Sequence, residues 1–285
     1  DLVHELFIQD YWDGHPLGRP ILGTRASVEA LSPDVLRDYF HEAYTGGNLI
    51  VGAAGNLEHE RVRSLIEEHF GGVARGVPVA PGVPPSGVPR VLVRNKRLEQ
   101  GHICLGSTGY RQNHDDRYAA LVMNTLLGGS MSSRLFQNVR EKRGLAYSVG
   151  SGLSAFSDTG LLSIYAGCAN ERVGEAIDVI LSELRELVTT PVPDDELRRA
   201  KDNVKGGLLL GLESTWHRAS FLARQELYFD RQLSIDDTIA GIDAVSIDDV
   251  GRVARDLLAR GPLSIAVLGR VNGLSVTQDA LRVLP

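Results

Sequence analysis

The 285 residues are 43% hydrophobic and 23% charged, a composition that excludes extensive disorder and fits a globular chain. A net charge of −6 leaves no basic surface for a phosphate backbone, so nucleic acid is not an expected partner. No apolar run approaches the length of a membrane span, and the two cysteines, Cys104 and Cys168, sit in apolar, strand-like stretches as small buried hydrophobes rather than as a disulfide framework or a zinc cluster.

The chain opens at Asp1 directly in a helical pattern, Leu2 to Phe7, and is expected to lack its natural beginning together with any targeting signal. Ser32-Pro33-Asp34 supplies an N-cap with proline at the first helical position, and the helix is predicted to run to about Tyr44, where Gly46-Gly47 ends it. Asn48 to Ala54 reads as a buried strand and Glu58 to Phe70 as a short helix. Residues 74–90 hold five prolines and three glycines, which preclude a helix or a central strand and mark a linker.

Beyond the linker, Arg90 to Val93 and His102 to Ser107 are predicted strands, and Asp115 to Leu127 is a helix closed by Gly128-Gly129. A second helix covers about Ser132 to Lys142. Gly144 to Phe156 and Leu161 to Cys168 flank Ser157-Asp158-Thr159-Gly160, the pattern of a hairpin. Asn170 is the expected cap of a helix whose apolar positions, Val173 through Val188, keep helical spacing. A helical region from Asp194 to about Phe229 is predicted to break at Gly206-Gly207.

The end of the chain repeats an earlier part. Ser32 through Val51 to Gly55 is matched by Ile247 through Ile265 to Gly269: an acidic cap, a helix, a glycine break, an apolar strand, then Gly. The offset is about 214 residues. If each unit closes a domain, residues 91–285 form a second domain, residues 1–73 are the last part of a first, and that first domain begins about 120 residues before Asp1. The fold class expected is α/β (α+β), with two homologous domains of mixed sheet plus helices, the first incomplete.

The chemistry-bearing residues are sparse. A zinc helix needs two histidines four residues apart, and none of the eight histidines has such a mate. No Gly-x-Ser-x-Gly elbow is present, and Gly128-Gly129-Ser130 lacks the Lys-Ser/Thr of a phosphate loop. What remains is Leu126 to Val149, where a helix ends in Arg140-Glu141-Lys142-Arg143 and Gly144 hands over to a strand.

In that segment the chain resembles the pitrilysin/insulinase metallopeptidases, most closely the bacterial enzymes similar to mitochondrial processing peptidase. Gly14 to Thr24, Asn48 to Asn56, Leu98 to Gly109 and Leu210 to Thr215 extend the resemblance over nearly the whole chain. In this family an Arg, six residues and a Tyr of the second domain reach the zinc centre of the first; these positions match Arg140 and Tyr147. The resemblance implies Zn2+ held by a His-x-x-Glu-His motif and a distal Glu, all upstream of Asp1, so no ligand and no general base is assigned here and the chain alone is expected to be inactive. It further implies a clamshell that takes extended peptides or presequences, in a homodimer or in a heterodimer with a zinc-bearing subunit. The alternative is a non-catalytic partner subunit of such a peptidase. A purely structural relative, like the core subunits of respiratory complexes, has no need of the Arg140/Tyr147 pair.

Overall fold

A computed structural model describes residues 2–77 and 82–284. Residues 78–81, in the middle of the predicted linker, lie outside the described residues; no helix or strand occurs on either side of them, at 74–77 or 82–90. The chain divides into two compact units, one of residues 1–20, 84–206 and 235–285, the other of residues 21–83 and 207–234.

The first unit is built on a five-stranded mixed sheet in the order β1-β5-β2-β4-β3. Its strands are β1 (Val91–Asn95), β2 (Gln100–Gly109), β3 (Ala146–Ala155), β4 (Gly160–Ala169) and β5 (Ser264–Gly269). β1 and β5 pair in parallel and the other neighbours antiparallel, so the long β3–β4 hairpin and β5 belong to one sheet, joined through β2. Strands alternate their side chains between faces, and both faces here are apolar. On one face, Ile103, Leu105, Leu162, Ile164, Ile265 and Val267 pack under α5 (Arg117–Leu127), α6 (Val173–Thr189) and α10 (Ile247–Leu258). On the other, Cys104, Leu161, Ala266 and Leu268 are covered by Val3, Phe7, Tyr11 and Trp12 of the N-terminal helix α1 (Leu2–Tyr11) and the residue that follows it.

α10 enters this core through a reciprocal cap. The Asp249 N–H donates to Ser246 Oγ at 3.1 Å, and the Ser246 N–H donates to the Asp249 carboxylate at 3.0 Å. Val250, Val253, Ala254, Leu257 and Leu258 then fall on one helical face and are buried.

The second unit has no strand among its described residues. It holds α2 (Arg25–Glu29), α3 (Pro33–Ala43), α4 (His59–Phe70) and α8 (Thr215–Phe229). Ser32 caps α3 as expected, its Oγ accepting from the Val35 N–H at 3.3 Å.

Three local expectations are corrected. Asn48 to Ala54 is not a strand: residues 46–48 form a short 3-10 turn and the rest is irregular and largely exposed. A strand exists only where a neighbour pairs its backbone, and this run lies instead against α8, where a Cβ on Gly52 would meet the Ala219 carbonyl at 2.7 Å. Asn170 does not cap α6. Its amide donates to the carbonyls of Leu98 and Glu99 and accepts from the Arg270 N–H, tying three loops together. The predicted break at Gly206-Gly207 is absent, because α7 (Asp194–Gly211) runs through both glycines. Glycine weakens a helix by about 1 kcal/mol without ending it; the end comes at residues 212–214, where Ser214 caps α8. α9 (Ile235–Asp243) completes the helices.

Candidate functional site

Arg140 stands on a helical segment that differs from the one expected. Only residues 134–135 are α-helical, and Phe136–Glu141 form a π turn, closed by the Lys142 N–H on the Gln137 carbonyl at 2.9 Å. Leu135 and Val139 are fully buried and fix the segment to the core. The exit is equally defined. Gly144 takes a left-handed φ of +56°, and the N–H groups of Gly144 and Leu145 reach back to the carbonyls of Arg140 and Val139 at 3.0 and 2.9 Å. That backbone conformation favours glycine, so the turn after Arg143 is written in the sequence.

β3 begins two residues later, and Tyr147 is its irregular position. Ala146 pairs with Cys168 and Ser148 with Gly167, so Tyr147 is the extra residue of a β-bulge. Ala146 and Val149 both face the helix-side core although three residues apart, a spacing that pleating alone does not allow. The bulge absorbs the mismatch and leaves Tyr147 78% exposed.

These two irregularities bring Arg140 and Tyr147 together. The Arg140 guanidinium carbon lies 5.3 Å from the centroid of the Tyr147 ring and 4.7 Å from that of Phe136, so the cation is flanked by two aromatic rings. Its Nε is 3.6 Å from Glu141 Oε1. Phe136 is the member of this group that sequence reasoning overlooked; the signal available was its i, i+4 spacing to Arg140. The arrangement presents a permanently charged planar donor and a phenol on one surface.

Two of the histidines, His4 and His102, meet at Tyr165. His4 stacks on Tyr165 at 5.0 Å, and His102 Nδ1 lies 2.9 Å from the Tyr165 hydroxyl; burial lowers the pKa of both rings. His114 stacks on Tyr110 at 3.9 Å. Among the described residues, no group of three or more His, Cys, Asp or Glu is placed to hold a metal ion. The described residues therefore do not fit a zinc site. Both cysteines are free and buried, and burial pushes their thiols up, Cys104 to about 12 and Cys168 to about 11. No helix among the described residues is long and apolar enough to cross a membrane.

Residues 30–204 match the family described as the peptidase M16 inactive domain. The chain belongs to the peptidase M16 family, as the resemblance implied, and its own fold is the expected mix of sheet and helices. A protein named as an uncharacterized zinc protease of Streptomyces coelicolor is 40% identical over 277 residues, which cover 94% of this chain and 60% of that one. Another so named, from Bacillus subtilis, is 37% identical over 258 residues, covering 90% of this chain and 63% of its own. The chain thus spans about three fifths of the length of these curated relatives. Among solved structures, a peptidase M16 inactive domain from Pseudomonas fluorescens superposes with a TM-score of 0.89 at 19% identity, covering 96% of this chain and 66% of that one. A chain of complex III2 from Candida albicans, solved with Inz-5 bound, gives 0.87 at 24% identity, covering 99% of this chain and 70% of that one. At these identities the two structures speak for the fold.

Proposed function

We propose that this chain is the second-domain part of a zinc-dependent endopeptidase, and that Arg140 and Tyr147 stabilise the transition state of peptide-bond hydrolysis on extended peptides or presequences. The observation that carries the reading is their juxtaposition. A helix irregularity and a strand irregularity, seven residues apart, place one guanidinium and one phenol on the same exposed patch. When a peptide carbonyl is attacked, negative charge develops on its oxygen, and donors already aimed at that point act without reorganising. Arginine brings a fixed charge and several N–H donors; tyrosine brings a neutral O–H. Zinc, which the relatives' names carry, finds no ligand set among the described residues, so on this reading its ligands lie in the longer protein, in a first domain whose closing part is residues 1–73.

The test uses the longer protein that includes the upstream part. Purified protein should contain one zinc per chain and cleave an internally quenched peptide, and residues 1–285 alone should not. Arg140→Ala should lower kcat by roughly 10²–10³-fold, with Tyr147→Phe smaller and KM changed little in both. Parental kcat in Arg140→Ala would sink the assigned role. A longer chain that binds no zinc and cleaves nothing would instead make this the non-catalytic partner subunit of a heteromeric peptidase.

A further inference from the structure

The π turn under Arg140 is braced from its inner side. Arg134 and Asn138, four residues apart, each meet a carboxylate from a different helix. Arg134 Nε and Nη2 donate to the two oxygens of Glu196 on α7 at 2.8 and 2.9 Å, and Asn138 Nδ2 donates to Glu183 on α6 at 2.7 Å. The Arg134 and Glu196 side chains are 10% and 18% exposed, and Glu183 is 5% exposed. Asn138 is held twice more: its Oδ1 accepts from Lys142 Nζ at 2.9 Å and its carbonyl from Arg143 Nη1 at 3.0 Å.

Such a frame is costly. Burial pushes the Glu183 carboxyl above its ordinary range, and Arg134 Nη1 is buried with no hydrogen-bond partner in the structure. Buried ion pairs of this kind add little net stability compared with apolar residues of the same volume. Their better-attested use is to fix one arrangement among several. The alternative here is specific, because a π turn is rare and an ordinary α turn competes with it. Slipping the closing hydrogen bond by one residue turns the helix by about 100° at that point, which carries Arg140 away from Tyr147.

We infer that Arg134, Asn138, Glu183 and Glu196 are positioning residues that hold the π register and thereby aim Arg140 across Tyr147. The inference rests on the proposed role of Arg140 for its effect on turnover, but the register can be read without activity. In the longer, zinc-loaded protein, Asn138→Leu keeps side-chain volume and removes the amide. It should lower kcat on the quenched peptide by about ten- to a hundredfold with little change in KM. In an Arg140→Ala background the same substitution should change kcat by less than about twofold, since coupled residues are not additive. Glu183→Gln, which keeps a carbonyl acceptor for the Asn138 amide, should stay near the parent. A crystal structure of Asn138→Leu should show the Lys142 N–H moved from the Gln137 carbonyl to that of residue 138.

An equal loss in both backgrounds means general damage and overturns the inference, as does a turn still closed on Gln137. Parental kcat in Asn138→Leu beside a low kcat in Arg140→Ala overturns the inference while leaving the role of Arg140 standing. Parental kcat in Arg140→Ala removes that role and leaves the register to be decided by the crystal structure. If Asn138→Leu does not fold, Asn138→Ser carries the same readings.

Discussion

Two stretches of this chain, 214 residues apart, start alike and end differently. Ser246 and Ser32 each cap a helix through the N–H three residues on. In α10 the face that follows, Val250, Val253, Ala254, Leu257 and Leu258, is at most 6% exposed. The positions equivalent by offset in α3 are Leu36, Tyr39, Phe40, Ala43 and Tyr44, and the four large ones are 54, 64, 54 and 54% exposed. After α10 comes β5, between β1 and β2; after α3 comes an apolar run with no strand beside it among the described residues. The capping chemistry is local and appears in both. Burial and strand character depend on neighbours, and among the described residues only the second copy has strands beside it. On the proposed reading, the first copy's neighbours belong to a preceding half-domain.

The widest gap between the copies should appear in amide exchange. Residues 265–267 lie at the centre of a sheet and should open only with the whole unit, at about 5 kcal/mol or more, whereas residues 49–53 should exchange almost as an unfolded peptide does. In the longer protein, residues 49–53 should become protected; unchanged exchange there would break the proposed domain assignment. Val253→Asp places a charge in the core and should cost several kcal/mol in urea unfolding, while Tyr39→Asp, at the equivalent position, should stay within about 0.5 kcal/mol. Comparable losses at the two sites would show that the α3 face is covered after all. Ser246→Ala should cost about 1 kcal/mol and Ser32→Ala no more than that.

The smallest effect separates the two caps by pH. The Ser246 hydroxyl and N–H and the Arg252 guanidinium hold Asp249 at about 2, well below its ordinary value. A carboxyl depressed in the folded state contributes stability that is fully present above about pH 4 and is lost as pH falls toward 2. Asp249→Asn should flatten that part of the stability profile. The residue equivalent by offset is Val35, so the α3 cap should have no such acid limb.

How far the sequence could be read follows the same division. The Ser32 cap, the apolar face of α6 and the β3–β4 hairpin are carried by residues close in sequence, and they were legible. The Arg140/Tyr147 pair was singled out only through the family resemblance, and its role is the one proposed above. The pair's geometry was not legible, because a π turn and a bulge are set by how Leu135, Val139, Ala146 and Val149 reach the core together, and no single position announces that. Asn170 read as a cap from its neighbours in sequence; its partners Leu98, Glu99 and Arg270 are distant ones. Glu183 and Glu196 looked like ordinary helix charges until the packing of α6 and α7 placed them beneath Arg134 and Asn138.

The two buried thiols lie on opposite faces of the same sheet, Cys104 beneath α1 and Cys168 beneath the α5, α6 and α10 layer. A thiol held at about 12 or about 11 is almost wholly protonated at neutral pH and presents no nucleophile to an alkylating reagent. Each cysteine therefore becomes reactive only when its own side of the sheet is uncovered. Mass-resolved alkylation in the native state would time the lifting of the N-terminal helix and the opening of the three-helix layer as two separate events in one tube.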